Sequence, residues 1–89
     1  MRFEWDSAKS SKNQEKHGIS FEEAVHIFLG NHVSFELNTT SIERRWAIIG
    51  TYGKKFYTGI YTMRKGKHRL ISFRRSRENE ELYYEQYFK

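Results

Sequence analysis

The stretch FEWDSAKSSKNQEKHGISFEEA, residues 3–24, determines how this chain begins to fold. From Asp6 to His17 it has the composition of a helix, yet Ala8 is the one clearly apolar side chain in that segment. A helix in a small protein is normally held by a buried apolar stripe at spacings of three and four residues. A nearly all-polar helix is therefore expected to face something other than an apolar core.

Signals for helix ends divide this stretch into two helices. Asp6 suits the N-cap of the first helix, and Gly18 suits its C-terminal end. Ser20 and Glu23 have the pattern of a capping box for a second helix. Apolar side chains follow at spacings i, i+3, i+4 and i+7, and Gly30 ends the pattern. We therefore expect the second helix to pack on the core.

The rest of the chain has the pattern of a sheet and a closing helix. Two short links that contain glycine, 52–55 and 64–67, are typical of antiparallel hairpins. The predicted strands are 3–5, 33–37, 45–52, 56–63 and 68–75, and the closing helix is 77–87. The sequence thus predicts an α+β fold: a short N-terminal strand, two helices, a four-stranded antiparallel meander and a C-terminal helix. One face of the sheet is expected to be covered.

Length and composition limit the kind of protein. The 89 residues suit a single domain, 1–89, and 37% hydrophobic residues provide material for a small core. No apolar run approaches the roughly 18 residues of a membrane helix, and no signal-peptide pattern follows Met1. Without cysteine there is no disulfide and no thiolate metal site. We expect a cytoplasmic protein with no membrane segment.

Positive charge is concentrated in one part of the chain. Residues 44–77 contain eleven Lys and Arg residues, whereas all eleven acidic residues lie outside that segment. A segregated basic region attracts polyanions and raises the rate of encounter with them. The region coincides with predicted strands that also carry tyrosines and a histidine, which favours nucleic acid as a partner over a merely solvated surface.

The last predicted strand has two faces under a period of two. The first face is Arg69, Ile71, Phe73 and Arg75, and the second is His68, Leu70, Ser72 and Arg74. Arg74 and Arg75 are thus expected on opposite sides of the sheet. The alternative for each arginine is an exposed charge or an ion pair with a glutamate of the last helix.

Two blocks of the chain resemble BrnT-type toxins, in order and at the family's spacing. The first block is Trp5-Asp6, Lys9, Asn13, Lys16-His17-Gly18, Phe21, Glu22-Glu23-Ala24 and Phe28. The second block is Arg69-Leu70-Ile71-Ser72-Phe73-Arg74-Arg75, followed by Glu80 and Tyr84-Glu85. Phe73 departs from the pattern, since the family usually has a small residue there. We expect this change to alter the packing beneath the basic strand.

The resemblance implies a RelE-like fold and a toxin of a type II toxin–antitoxin pair, whose ribonuclease activity inhibits translation. It also implies a BrnA-like antitoxin with a ribbon-helix-helix domain, and a complex that binds operator DNA. No cofactor is implied. In this interpretation the polar stripe of the first helix borders an RNA groove, with Lys9, Asn13 and Lys16 on one face and His17 at its edge.

RNA can be cut without a metal ion when its own 2′-OH attacks the neighbouring phosphate. That reaction needs a base, cations around the phosphorane and an acid at the leaving oxygen. Histidine transfers protons near neutral pH, guanidinium binds phosphate bidentately, and tyrosine can stack on a base. The predicted catalytic residues are His17, Arg69, Arg74, Arg75 and Tyr84, and the predicted RNA-binding residues are Lys9, Asn13, Lys16 and His68.

Each assignment has a structural alternative. His17 precedes a helix-ending glycine and could cap carbonyl groups, and Tyr84 could pack the last helix onto the sheet. His26 and His32 are expected to be structural or solvated, and no metal site is expected. Two other functions remain open: a non-catalytic basic module that binds nucleic acid, and a ParE-like toxin of the same fold that acts on a protein.

Overall fold

The chain forms the predicted elements in the predicted order. In a computed structural model, which describes residues 1–39 and 42–89, the described chain contains three helices and five strands. They are β1 (Phe3–Glu4), α1 (Ser7–His17), α2 (Phe21–Leu29), β2 (His32–Glu36), β3 (Trp46–Tyr52), β4 (Lys55–Arg64), β5 (Lys67–Arg75) and α3 (Glu78–Tyr87). The α+β class is confirmed, and each boundary lies within one residue of its prediction. In the described ranges, no helix is long and apolar enough to cross a membrane.

The ends of α1 and α2 are fixed by local hydrogen bonds, as predicted. The Asp6 carboxylate accepts a hydrogen bond from the backbone N–H of Lys9 at 3.1 Å. Gly18 ends α1 in the left-handed region, with φ of 76°, which glycine adopts without steric cost. In the capping box of α2, Ser20 and Glu23 each accept a hydrogen bond from the other's backbone N–H, at 3.1 and 3.0 Å.

β1 belongs to the sheet, which corrects the prediction of a four-stranded antiparallel sheet. Within the described residues the strand order is β1-β5-β4-β3-β2, and β2 to β5 form the predicted antiparallel meander. β1 pairs in parallel with β5, so that Phe3 lies opposite His68 and Glu4 lies opposite Arg69. The sheet is therefore mixed. A two-residue strand carries too little pattern to reveal its partner, and a parallel pair depends on a long crossover elsewhere in the chain.

The core lies between the sheet and the pair formed by α1 and α2. Phe21 and Ile27 of α2 are fully buried there against side chains from β3, β4 and β5. Phe73 is also fully buried, and its ring lies over Gly59 of the neighbouring strand. A Cβ at Gly59 would come within 2.0 Å of that ring. The large residue at position 73 is therefore accommodated by a glycine opposite it.

A β-bulge changes the faces of β5 from those predicted. Ser72 lies opposite Ile60, but Leu70 pairs with the next residue of β4, so Ile71 is an extra residue in the strand. One extra residue reverses a period of two. As a result Leu70 and Phe73 both enter the core, although the period places them on opposite faces.

Because of the bulge, the cations of β5 are distributed over the two faces of the sheet differently from the prediction. We call the sheet face turned away from α1 and α2 the open face. By the register, the core face carries His68, Leu70, Phe73 and Arg75, and the open face carries Arg69, Ser72 and Arg74. Arg74 and Arg75 do lie on opposite sides, as expected, but Arg69 shares its face with Arg74 and not with Arg75.

Buried polar side chains attach the polar helix α1 to its neighbours. The Ser10 hydroxyl accepts a hydrogen bond from the Phe21 N–H at 2.9 Å. The Asn13 amide donates to the Ile19 carbonyl at 2.8 Å and accepts from the Phe73 N–H at 3.1 Å. Because β1 is only two residues long, the outer edge of β5 near Phe73 has no strand beside it. Hydrogen bonds, and not an apolar stripe, therefore hold α1 in place.

α3 packs on the open face, which corrects the prediction that only one face is covered. The ring of Tyr83 lies 5.3 Å from that of Phe35, and the ring of Tyr84 lies 5.1 Å from that of Phe56, in both cases edge to face. All of α3 is described, and none of its residues is buried. The helix is thus a partial cover, attached mainly through aromatic contacts.

Candidate functional site

Cations of α1 line the surface beside the bulge of β5. One shallow pocket is lined by Lys9, Lys12, Asn13, Lys16, His17, Ile71 and Ser72. The three lysines are exposed, and His17 is half-buried. The fold therefore brings three predicted RNA-binding residues, Lys9, Asn13 and Lys16, together with the predicted catalytic His17.

Arg74 lies next to this pocket on the open face. Ser72 lines both the α1 pocket and a cavity that contains Arg74. The Arg74 guanidinium donates two parallel hydrogen bonds of 2.8 Å to the Glu80 carboxylate. Glu80 lies in the first turn of α3 and also accepts from the Arg77 N–H at 2.7 Å. The ion pair with a glutamate of the last helix, one of the two alternatives allowed by the sequence, is present.

The protonation states of this pair are set by their contact. Hydrogen bonds from Arg74 lower the pKa of Glu80 from 4.5 to about 2. The Arg77 N–H and the Thr58 hydroxyl act in the same direction, while partial burial opposes them. The hydrogen bond with Glu80 also raises the pKa of Arg74. Both groups are therefore charged at neutral pH, and the carboxylate fixes the plane of the guanidinium.

The ion pair leaves one edge of the Arg74 guanidinium available. Glu80 and the Arg75 carbonyl accept from Nη1 at 2.8 and 3.1 Å, and Glu80 also accepts from Nη2. Within the described residues, Nε–H and the second Nη2–H have no acceptor, and they lie on the same edge of the planar group. Such an edge fits two oxygens of a phosphate. Arg74, whose side chain is 33% exposed, can thus bind an anion while it stays paired with Glu80.

Arg69 extends the positive surface toward the other end of β5. It donates to Glu4 at 2.9 Å and lines a polar pocket with Lys9, Arg45 and Arg64, to which two acidic side chains also contribute. Lys9 belongs both to this pocket and to the α1 pocket. We call the continuous surface formed by Lys9, Lys12, Lys16, Arg69 and Arg74 the basic strip.

Two predicted residues lie on the other face of the sheet. The His68 ring packs on the core face, 5.4 Å from the rings of both Phe3 and Phe28. The Arg75 guanidinium lies over the Tyr57 ring at 5.8 Å, also on the core face. The structure does not bring either residue to the basic strip, because His68 shares a face with Leu70 and Arg75 shares a face with Phe73, and both Leu70 and Phe73 enter the core.

Tyr84 packs the last helix onto the sheet, which is the structural role that the sequence allowed as an alternative to catalysis. Its ring lies 5.1 Å from that of Phe56 and 4.8 Å from that of Phe88, and it does not line the cavity of Arg74. Its contacts join α3 to the sheet. The predicted role of Tyr84 in catalysis therefore has no support in this geometry.

The position of Asn13 differs from the prediction that the whole polar stripe of α1 faces RNA. The side chain lies at the base of the α1 pocket but is only 7% exposed, and both ends of its amide are bonded inside the protein. We therefore assign Asn13 a structural role, while its neighbours Lys9 and Lys16 remain exposed to a ligand.

Three residues at this site were missing from the sequence-based set. Lys12 lies three residues after Lys9 and four before Lys16, a helical spacing that could have identified it. Ser72 and Glu80 reach the site through the bulge and through the docking of α3, neither of which leaves a local signal. In the part of the chain that the structure describes, no group of three or more His, Cys, Asp or Glu side chains is placed to hold a metal ion.

The fold and the basic strip define a small α+β protein with a surface suited to a polyanion. A family model described as the ribonuclease toxin BrnT of type II toxin–antitoxin systems matches residues 5–80, and the chain belongs to this family. The resemblance stated from the sequence is thereby confirmed, and membership implies ribonuclease activity and an antitoxin partner. No curated protein sequence matches the chain.

Proposed function

We propose that this chain cleaves RNA at the basic strip by attack of the RNA's own 2′-OH, without a metal ion, and thereby inhibits translation. The observation that carries the proposal is the free edge of Arg74. Glu80 holds the Arg74 guanidinium in one orientation and leaves two N–H groups of Arg74 free to bind a phosphate. The lysines of α1 lie next to this position. Preorganised donors of this kind are the largest contribution to many phosphate-transfer rates.

The proposed chemistry assigns one task to each group. Arg74 binds the scissile phosphate and stabilises the charge that develops when the O2′–P bond forms and the P–O5′ bond breaks. His17 lines the adjoining pocket and transfers the proton at one end of this reaction, either from the 2′-OH or to O5′, while solvent water exchanges the proton at the other end. Lys9, Lys12 and Lys16 hold neighbouring phosphates, and Arg69 extends the binding surface. The products are a 2′,3′-cyclic phosphate and a 5′-hydroxyl.

The remaining parts of the proposal concern context. We propose a RelE-like fold, supported by the antiparallel meander with two helices before it. We also propose that the antitoxin is BrnA-like, with a ribbon-helix-helix domain through which the complex binds operator DNA, and that the toxin acts in the cytoplasm. An acidic antitoxin segment laid over the basic strip would be attracted electrostatically and would block RNA.

The chemistry is tested with purified protein and end-labelled RNA, with and without a chelator. We expect equal cleavage rates in both buffers, products that end in a 2′,3′-cyclic phosphate, and no cleavage where the attacking 2′-OH is replaced by hydrogen. Tight RNA binding without cleavage would instead indicate a non-catalytic module. Growth arrest with intact RNA would indicate a toxin that acts on a protein.

The partner is tested by co-expression with the neighbouring open reading frame. We expect a stable complex on sizing, restored growth, and an association rate that falls steeply with salt. A neighbour that neither binds nor restores growth would contradict the proposed antitoxin.

A further inference from the structure

A cavity of about 210 Å³ lies on the open face directly beside Arg74. Its lining residues are Phe35, Leu37, Ala47, Thr58, Ile60, Ser72, Arg74 and Glu80. The volume is below the roughly 300 Å³ at which pockets for drug-sized ligands begin, so it suits a single planar ring system. From this cavity we propose a binding site for one nucleobase of the RNA whose phosphate Arg74 holds, an inference that rests on the proposed ribonuclease function.

The lining of the cavity changes from apolar to polar along its length. Ala47 and Ile60 form an apolar floor from β3 and β4, and Phe35 and Leu37 form the side toward β2. The other end carries Ser72 together with the pair of Arg74 and Glu80. A nucleobase has the same division, because its ring faces are apolar and its edge carries donors and acceptors.

Phe35 is placed to stack on a base. Its ring is held edge to face against Tyr83 of α3, at 5.3 Å, yet the residue stays 38% exposed. Aromatic rings that are fixed on one side and open on the other are the usual platform for an unstacked base. The aromatic contact between β2 and α3 therefore fixes the Phe35 ring in place as one wall of the site.

Ser72 provides the polar contact at the base edge. Its residue is exposed, and within residues 1–39 and 42–89 its hydroxyl has no hydrogen-bond partner. A free hydroxyl can donate or accept and so can bind the edge of a base in either sense. Thr58 is different, since its hydroxyl is already engaged with Ser76 at 2.8 Å.

The position of Arg74 selects a nucleotide over an apolar side chain as the occupant. Arg74 lines the polar end of the cavity and keeps two N–H groups without an acceptor among the described residues, so a phosphate bound there and a base in the cavity can belong to one nucleotide. An apolar side chain would fill the floor but would leave the hydroxyl of Ser72 and the edge of Arg74 without partners.

The test is methyl NMR on the full chain, labelled at alanine and isoleucine methyl groups. The probes are the four 2′-O-methyl dinucleotides with A, C, G or U before a common uridine, which cannot be cleaved by 2′-OH attack, and an abasic analogue. We expect at least one base-containing probe to shift the Ala47 and Ile60 methyl resonances, and the abasic analogue to leave them unchanged.

Variants then separate the cavity from the rest of the surface. Ala47→Leu fills the floor and should weaken binding of the probe about tenfold, the scale of one lost base stack. Thr51→Leu, on the same strand and face but outside the cavity, should change it less than twofold. Ser72→Ala, which removes only an exposed hydroxyl, should weaken the binding of the preferred probe and reduce the difference among the four bases.

The possible outcomes distinguish this proposal from the proposed function. The base site would be overturned if the wild type cleaves RNA, no dinucleotide shifts the methyl resonances, and Ala47→Leu and Ser72→Ala bind the probes as tightly as the wild type does. That result would leave the ribonuclease function intact. Methyl shifts without any RNA cleavage would support the base site and contradict the ribonuclease function. Shifts produced by the antitoxin and by none of the dinucleotides would overturn the proposal in favour of a protein-binding cavity.

Discussion

The ion pair of Arg74 with Glu80 connects the sheet to the last helix at the level of single residues. The carboxylate accepts three hydrogen bonds, two from the Arg74 guanidinium and one from the Arg77 N–H. Buried or half-buried pairs of this kind contribute to stability when the remaining lone pairs are satisfied, as they are here. Glu80 therefore positions Arg74 and helps to fasten α3.

The effect of replacing Glu80 by Gln on the free energy of unfolding should depend on pH. The pKa of Glu80 is lowered in the folded state, to about 2 from 4.5, so its contribution is fully present above pH 4.5 and is lost as the pH falls toward 2. At pH 7 we expect Glu80→Gln to lower the free energy of unfolding by roughly 1–3 kcal/mol. Urea titrations at pH 7, 4 and 2.5 should show the difference from wild type shrinking as the pH falls.

Glu78→Gln is the matched control for this prediction. Glu78 lies in the same turn of α3 and is exposed, so its loss should cost only the helix-dipole contribution, about 0.3–1 kcal/mol. A difference between Glu80→Gln and wild type that stays constant from pH 7 to 2.5 would contradict the assigned pKa.

Replacing Asn13 by Ala tests whether this residue is structural. The change leaves the Ile19 carbonyl and the Phe73 N–H without partners, and each unsatisfied buried group costs about 1–3 kcal/mol. We expect a loss of roughly 2–4 kcal/mol in the free energy of unfolding. Gln14→Ala, at an exposed neighbouring position, should change it by less than about 0.5 kcal/mol. Unchanged stability with weakened RNA binding would restore Asn13 as an RNA contact.

At the level of elements, α1 is a helix with two different polar faces. Ser10 and Asn13 point inward and bind backbone groups, whereas Lys9, Lys12 and Lys16 point outward beside the bulge of β5. This division explains why the helix lacks an apolar stripe. One polar face replaces the apolar anchor, and the other supplies charge to the basic strip.

The outward face of α1 should determine part of the salt dependence of RNA binding. Replacing all three of its lysines by Gln removes up to three phosphate contacts, and each lost contact lowers the slope of log K against log salt by about 0.7 for a single strand. The measurement is binding of 2′-O-methyl RNA over a series of salt concentrations.

The matched control for this prediction is the triple change of Lys54, Lys55 and Lys65 to Gln. These three exposed lysines lie in the hairpin turns or beside them, and none lines the α1 pocket. Their loss should leave the slope nearly unchanged. Equal changes of slope in both triple variants would mean that the overall charge binds RNA and that α1 has no special part.

The elements differ in how well the sequence predicts them. Helix ends at Asp6, Gly18 and Ser20 are local, since each hydrogen bond spans three or four residues, and they were predicted correctly. The partner of β1 and the bulge at Ile71 depend on residues far away in the chain, and both were missed. The same difference applies to the candidate site. Helical spacing in the sequence predicts that the lysines of α1 lie together, whereas the shared face of Arg69 and Ser72 depends on the bulge and could not be predicted.

At the scale of the whole molecule, the fold separates a core side from the side that carries the candidate site. The aromatic core, against which His68 packs, lies between the sheet and α2. Arg69, Arg74 and the lysines of α1 lie at the open face and its edge. α3 lies on that same face but has no buried residue, so it borders the candidate site without closing it. The chain belongs to the BrnT family of ribonuclease toxins, and by our proposal this arrangement gives it one surface at which both RNA and the antitoxin bind.

The central claim is that RNA cleavage takes place at Arg74, and a comparison of two arginines tests it most directly. Arg74→Gln and Arg44→Gln each remove one positive charge and break a bidentate pair with a glutamate, since Arg44 binds Glu36 through bonds of 2.8 and 2.7 Å. Arg44 lies outside the cavity, the α1 pocket and the pocket of Arg69. The measurement is the rate of cleavage of one end-labelled RNA by both variants, after thermal unfolding has shown that each is folded.

We predict that Arg74→Gln lowers the cleavage rate at least about 100-fold, the usual cost of one lost donor to the transition state. Arg44→Gln should stay within about twofold of wild type, because a peripheral charge acts mainly on the rate of encounter. Equal rates for the two folded variants, whether both are high or both are low, would contradict the assignment of the ribonuclease site to Arg74.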